Sequence, residues 1–541
     1  MGISTNQLDL AADLASQHSG QQFNLPPTTH LLTSGGDARI VCDAVHGFNK
    51  YGCSAAPEPN VLAYGSSTAS TITLGGYSSA ERLRLRLLRA ARLERPSITY
   101  AREIARIRSE LLGLCGLSDL PGVEAIFAAS GTDIHLIAGQ LASEVTTSDL
   151  LAVMIDPAET GSGVPAALAG QHFADYSALG KAVTPGVNIF GGGIIEVAAV
   201  AVRGLDGAPR AAPVVDAEVE ELVMDAVAAG RRVLLNLVDV SKTGMIAPSL
   251  ACVLNLQRRF PTAVNVLVDA CQFRLAPSTI RAYLKHGFWV ALTGSKFVGG
   301  PAFSGVLLLP NDAAQRLRKS LLSPTLSAYS ARADWPSGWI VRHALPDVAN
   351  YGLLLRWEAA LTELRSFRSL SETAIAGFIE TFKARVQRRL TTDPVFRLLP
   401  TPKINRRPLV KDDSWDDNPT IFPFVLCRAA NSDQHGAPLT RVETARVHTM
   451  LGRSIDFITG LYLRPQERLL ATQRCQLGQP VQCGLFHDVP VSALRLCVSI
   501  RLIVDAISPE GRGVETVIAE ALLTLDKCAL LATAIDQINS M

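Results

Sequence analysis

The chain has 541 residues, 48% apolar, 18% charged and 6% aromatic, which is more than one ordinary hydrophobic core accommodates. Lysine and arginine total 51 against 49 aspartates and glutamates, a net charge of +2, so there is no basic footprint for nucleic acid or an anionic membrane surface. The mean hydropathy of +0.21 is unlike that of a disordered chain.

No stretch reads as a membrane span. The most apolar one, residues 186–202, is interrupted by Asn188, Glu196 and the glycines at 191–193. The opening MGISTNQLDL lacks the basic and apolar regions of a secretory signal. Ten cysteines run from Cys42 to Cys528 without a CxxC pair, the usage of a cytoplasmic protein with reduced, buried thiols.

Residues 1–114 read as an amino-terminal segment ending in two helices. The stretch from Gly65 to Ser70 reads as an ordered loop. Ser78 with Glu81 forms a capping box for the Arg-rich helix that follows, Pro96 stops it, and Ser97 opens a second helix to about Leu114. Both are expected to present solvated faces.

From Val123 the texture changes. Seven apolar runs alternate with helical segments: VEAIFA, LLAVMID, GIIEVAAVAV, RRVLLNLVDV, VNVLVDA, FWVALTG and GVLLLP. The intervening helices are placed to Ala142, to Phe173, from Glu218 to Ala229, near Leu250 to Arg259 and to His286. The expected fold is α/β, with a mostly parallel seven-stranded sheet covered by helices over residues 115–345. Residues 346–541 read as a smaller α+β unit. It has helices at Tyr351–Leu364 and Ser371–Leu390, strands in IFPFVLC and LRLCVSIRL, and a closing helix from Val514. The polar, Pro-rich stretch 401–418, carrying KDDSWDDN, is expected as a surface loop or insertion.

Ligands on such sheets bind at the carboxyl ends of strands. After VEAIFA, Ser130-Gly131-Thr132-Asp133 opens a helix and suits a phosphate, or simply caps the helix. Asp269 ends a buried strand and needs a partner. Thr293, Ser295 and Lys296 follow the next strand, 27 residues after Asp269, ahead of Gly-Gly-Pro. Desolvation in general suits a lysine to act as a Schiff-base nucleophile, and a lysine at this turn is poorly explained by surface solvation.

This constellation resembles the fold-type-I pyridoxal-phosphate enzymes, in the class V aminotransferase and cysteine desulfurase branch, over roughly residues 115–510. The resemblance implies pyridoxal 5'-phosphate as cofactor, and a small domain built from the chain ends. It places the phosphate cup at Ser130, Gly131 and Thr132 and the pyridine-nitrogen partner at Asp269. Gln272 falls beside the phenolic oxygen, Thr293 and Ser295 at the phosphate, and Lys296 at the Schiff base. VDVSKTGMIAP resembles the family loop ending Thr-Gly-x-x-x-Pro, which brings Ser241 to the cofactor, although Ser241 and Lys242 stand where an asparagine is often found. Arg495 matches the arginine that binds the substrate α-carboxylate; it also reads as an exposed strand residue, with Arg501 as a substitute.

Two family features have no counterpart in the sequence. No aromatic side chain stands where many members stack a histidine on the ring, and His172, the nearest candidate, reads as structural. Val481 superposes on the desulfurase cysteine, so Cys475 and Cys483 read as buried structural thiols. Gly161-Ser-Gly163-Val-Pro-Ala166 fits a dinucleotide fingerprint, but no strand-end acid follows it at the required distance. The resemblance therefore implies an enzyme acting at Cα or Cβ of an amino acid, best as an aminotransferase. The alternatives are a kynureninase- or cysteine-lyase-like lyase, or a non-catalytic relative. A homodimer, with no metal, is also implied.

Overall fold

A computed structural model describes residues 24–540, apart from 46, 66–69, 144–148, 190–194, 321, 430–435 and 456–463. The opening ten residues, most of the 65–70 loop and the glycines at 191–193 lie outside the described residues.

Strand β1 (Val61–Tyr64) precedes two helices, Leu74–Ala90 and Pro96–Leu114. The first starts four residues before Ser78, because Thr73 Oγ1 accepts from Gly76 N at 2.9 Å and caps it. Glu81 is therefore inside the helix, paired with Arg84 at 2.6 Å. Pro96 opens the second helix rather than merely ending the first, since its missing N–H is not needed in a first turn. These helices are not wholly solvated: Leu83, Leu87, Ile104, Ile107 and Leu111 are completely buried in the core shared with the Tyr351–Arg368 helix.

All seven apolar runs form strands: β2 (Glu124–Ala128), β3 (Leu150–Ile155), β4 (Ile195–Val200), β5 (Arg232–Val238), β6 (Val264–Asp269), β7 (Trp289–Thr293) and β8 (Gly305–Leu309). Their order is β2-β8-β7-β6-β5-β3-β4. Only β8 runs against its neighbours. Every residue of β3, β7 and β8 is buried, as expected for strands covered on both faces. The helix anticipated up to Phe173 shrinks to Val164–Leu168. Gly170, at φ 72°, turns the chain away, and residues 171–188 continue as a loop closed by a Gln171–Asn188 bridge. The helix placed from Glu218 starts earlier and spans Ala212–Ala228.

The second sheet joins β1 to β9 (Phe396–Leu398), β10 (Ile421–Leu426), β11 (Arg474–Phe486) and β12 (Val489–Cys497), in the order β1-β11-β12-β10-β9. Both ends of the chain contribute to it. The run LRLCVSIRL is not one strand: β12 stops at Cys497 and Ile500–Ile507 is helical. Its apolar residues change spacing there, with Ile500, Ile503 and Ala506 buried on one helix face. This is the two-sheet α/β architecture that the resemblance implies.

The 401–418 stretch is a largely exposed loop, as expected, but it is anchored into the protein by Arg406, Leu409, Trp415 and Asp416. Arg406 Nε and Nη2 each donate to the Asp239 carboxylate at 2.8 Å, and both side chains are buried. Trp415 stacks on Phe297 with centroids 5.5 Å apart. Asp416 Oδ2 accepts from Ala276 N and Thr279 Oγ1, both at 2.8 Å, at the start of the Pro277–Lys285 helix. Two of its charges, Arg406 and Asp416, fill buried sockets, while Lys403, Arg407, Lys411, Asp412 and Asp413 face water. Replacing Arg406 by Gln strands the Asp239 charge and is expected to lower the unfolding free energy by about 3–5 kcal/mol, read from urea denaturation; an unchanged midpoint contradicts it.

Candidate active site

Strands β2, β5, β6 and β7 run in one direction, so the loops that follow them meet along one edge of the sheet. Asp269 stands at the end of β6. Its Oδ1 accepts from Cys271 N at 3.1 Å, and Oδ2 lies 3.4 Å from His135 Nε2. Burial alone raises a carboxyl pKa, but here the charge and hydrogen bond of His135, with the charge of Lys296, outweigh it and hold Asp269 well below the usual carboxylate range.

His135 did not stand out in the sequence. Its Nδ1 lies 2.7 Å from the Gly131 carbonyl, one helical turn back. The four-residue spacing from the Ser130 turn was the available signal, since it puts the imidazole on the face below that turn.

Lys296 is partly buried in the turn after β7. That turn is tied down on several sides. Thr293 Oγ1 donates to Cys271 O at 2.6 Å, Phe297 N donates to Gln272 O at 3.2 Å, and Ser70 Oγ donates to Ser295 O at 2.6 Å. Gly294 permits the close approach of the Tyr351–Arg368 helix, because a Cβ there would lie 2.7 Å from Ala360 Cβ. Gln272 is buried, and its Oε1 has no hydrogen-bond partner.

At the Ser130 turn the hydroxyl of Ser130 donates to Asp133, and Asp133 N donates back to it at 3.3 Å. Ser130 thus caps its own helix, Gly131–Ser143. Burial pushes the Asp133 carboxyl up to about 6, partly offset by Ser130. Gly131 sits tightly against the β6 loop, where a Cβ would meet Cys271 Sγ at 2.9 Å.

Arg39 arrives here from the amino-terminal segment, a residue the sequence did not single out. Its Nη2 donates to Ser130 Oγ at 3.3 Å and its Nη1 to Thr132 Oγ1 at 3.4 Å. Asp37 clamps its Nε at 2.8 and 2.9 Å, and Phe303 lies under the guanidinium at 4.7 Å. Only contact across 91 residues joins it to the turn, and local pattern carries no trace of that.

The remaining candidates occupy a second group. Ser241 Oγ donates to Glu159 Oε2 at 2.7 Å, and Glu159 also accepts from Thr243 Oγ1 at 2.6 Å and Arg203 Nε at 2.9 Å. The Ser241 hydroxyl is therefore engaged by Glu159. Arg495 is 2% exposed, not an exposed strand residue. Its Nε and Nη2 donate to Gln479 O at 3.3 and 2.9 Å, and its Nη1 to Lys242 O at 3.3 Å. Arg501 instead donates to Thr71 Oγ1 at 2.9 Å.

His172 lies 2.6 Å from Tyr329 Oη and stacks on that ring, a structural pairing. Cys475, Val481 and Cys483 are all buried in β11. Among the described residues no cluster of three or more His, Cys, Asp or Glu could hold a metal, and no helix is long and apolar enough to cross a membrane.

No protein-family model matches the chain, and no curated protein matches it. Solved structures of similar shape include mouse CSAD, at 14% identity and a TM-score of 0.48, covering 88% of this chain and 84% of that one. A cystine C-S lyase, C-DES, in complex with cysteine persulfide is similar at 16% identity and a TM-score of 0.48, covering 86% and 97%. Oryza sativa TDC with PLP and tryptamine is similar at 12% identity and a TM-score of 0.46, covering 87% and 83%. At such identities, function is read from the side chains of the site.

His135→Ala leaves the buried Asp269 carboxylate with the Cys271 amide and the more distant Lys296. The loss expected at pH 7 is about 1–3 kcal/mol of unfolding free energy. Because the depressed Asp269 pKa stabilises the folded state above the usual carboxylate pKa of about 4 and loses that contribution only as pH falls further towards the depressed value, the gap from wild type should narrow between about pH 4 and 2. A gap independent of pH, in urea melts across that range, counts against the pairing.

Proposed function

We propose that the chain is a pyridoxal-phosphate-dependent enzyme acting on an amino acid, with Lys296 as its Schiff-base lysine. The observation that carries this is the ionised, buried but still accessible Asp269 and, three residues on, a buried Gln272 oxygen that lacks a partner among the described residues, in the loop hydrogen-bonded to the Lys296 turn. A pyridine N–H is a natural partner for that carboxylate. The amino terminus of the Gly131–Ser143 helix, with Thr132 and the Arg39 guanidinium, suits a phosphate. The residues present fit the group.

Pyridoxal phosphate, when bound, supplies a carbonyl for condensation with amines and a ring that withdraws electrons from bonds at Cα. The chain's own residues do the rest. Asp269, oriented by His135, keeps a proton on the ring nitrogen. The Lys296 amine takes and returns the proton at Cα as general base and acid. Arg495 donates to the α-carboxylate and so fixes which Cα bond is presented. Thr132 and Arg39 anchor the phosphate, while Thr293 and Ser295 shape the lysine turn.

Aminotransfer is the reaction we favour. Burial pushes the Cys483 thiol up to about 11 and raises that of Cys475, so neither is a poised nucleophile, and transfer needs none. The homodimer implied by the resemblance belongs to the same proposal. Supplying the loaded protein with one amino acid and one keto acid should yield the exchanged pair. Carbon dioxide, or pyruvate in excess of one equivalent per site, released without a keto acid overturns transfer and leaves the cofactor reading intact.

Lys296→Ala should fold, by circular dichroism, yet show no cofactor mass fixed to the protein by borohydride. A fixed adduct in that variant places the anchor elsewhere. Arg39→Gln should weaken pyridoxal phosphate tenfold or more in an absorbance titration, and unchanged affinity removes Arg39 from the phosphate site.

A further inference from the structure

Lys242, which lies in the field of Lys296, and Arg495, which is hydrogen-bonded to the Lys242 backbone, hydrogen-bond to no carboxylate among the described residues. Arg495 donates only to the carbonyls of Gln479 and Lys242. The Lys242 ammonium donates to the carbonyls of Ala158 at 3.1 Å and Pro157 at 3.4 Å. They are coupled through one residue, since the Lys242 carbonyl accepts from Arg495 Nη1 at 3.3 Å.

Two acids act on these cations through space, Glu159 on both and Asp156 on Lys242, without hydrogen-bonding to either among the described residues. Glu159 is surrounded by Arg203, Ser241 and Thr243, and Asp156 accepts from Ala158 N at 2.8 Å. Burial and the charges of Arg495 and Lys296 pull the Lys242 pKa down to about 8, which leaves it mostly cationic at pH 7. The buried Arg495 and the partly buried Lys242 repel each other, and with neither hydrogen-bonded to a carboxylate among the described residues the pair favours an added anion. Arg495 offers a planar fork suited to one carboxylate, and Lys242 a compact point charge suited to a second acidic group.

We infer that Lys242 and Arg495 form a paired-cation subsite for an amino acid whose side chain carries a second acidic group. This rests on the function proposed above, with Lys242 as the specificity-determining residue. A substrate with one carboxylate satisfies Arg495 and leaves Lys242 on carbonyls alone. A diacid neutralises both.

The test is calorimetric titration of the protein, with and without pyridoxal phosphate, using succinate, 3-phosphonopropionate and butyrate. At least one of the two diacids should bind tenfold or more tightly than butyrate, and the tighter of them identifies the second acid as carboxylate or phosphonate-like. Lys242→Met should bring the diacids to the butyrate level, while Lys242→Arg retains most of the preference and confirms that charge, not folding, is responsible. Equal affinities in the wild type, or a preference that survives Lys242→Met, overturns the inference. Borohydride fixation separates the two readings. Diacid preference without fixed cofactor sinks the cofactor assignment alone, and fixed cofactor without diacid preference sinks the subsite alone.

Discussion

A carboxylate enclosed at the end of a central β-strand is the charge around which this protein is arranged. Left alone, the Asp269 side chain costs several kcal/mol to bury, so surrounding elements must supply partners. The helix after β2 supplies His135, the β6 loop supplies the Cys271 amide, and the turn after β7 brings the field of Lys296. Each is held by short contacts: Gly131 packs on Cys271, and Thr293 donates to the Cys271 carbonyl. Satisfying one charge therefore sets the relative position of three loops.

The same need operates one strand away, between the two sheets. Asp239, just past β5, accepts from Arg406 and from Tyr283 Oη at 2.6 Å, and the chain that delivers Arg406 also delivers Trp415 onto Phe297, the neighbour of Lys296. Arg274 closes the join by donating to Thr420 Oγ1 at 2.6 Å and Val498 O at 2.9 Å. A lysine turn backed by a ring stack and by a buried ion pair is preorganised, which is what a group that moves a proton at one carbon requires.

Backbone strain collects along this edge. Val240, Phe273 and Phe303 adopt φ of 61°, 56° and 74°, a conformation disfavoured for bulky side chains and retained only where surroundings enforce it. Val240 precedes Ser241, Phe273 follows Gln272, and Phe303 lies beneath Arg39. The strained positions thus flank residues of the candidate site, while the Val240 and Phe273 side chains pack into the hydrophobic core.

The sequence by itself determined the seven strands of the large sheet, because strands buried on both faces must be continuous apolar runs between turns. It also singled out Asp269 and Lys296 as polar groups at the ends of such runs, with Gln272 added by the family resemblance. What it could not determine was anything that depends on contact between distant segments. His135 lies within one turn of a recognised motif, but its role depends on an aspartate 134 residues later. Arg39 reaches the Ser130 turn only through the folded amino-terminal segment, and Ser241 donates to Glu159 across 82 residues. The 401–418 stretch was legible only in part. Its charges carry the local signature of a solvated loop, and only the tertiary structure decides that Arg406 and Asp416 are buried, because the groups that neutralise them come from elsewhere in the chain.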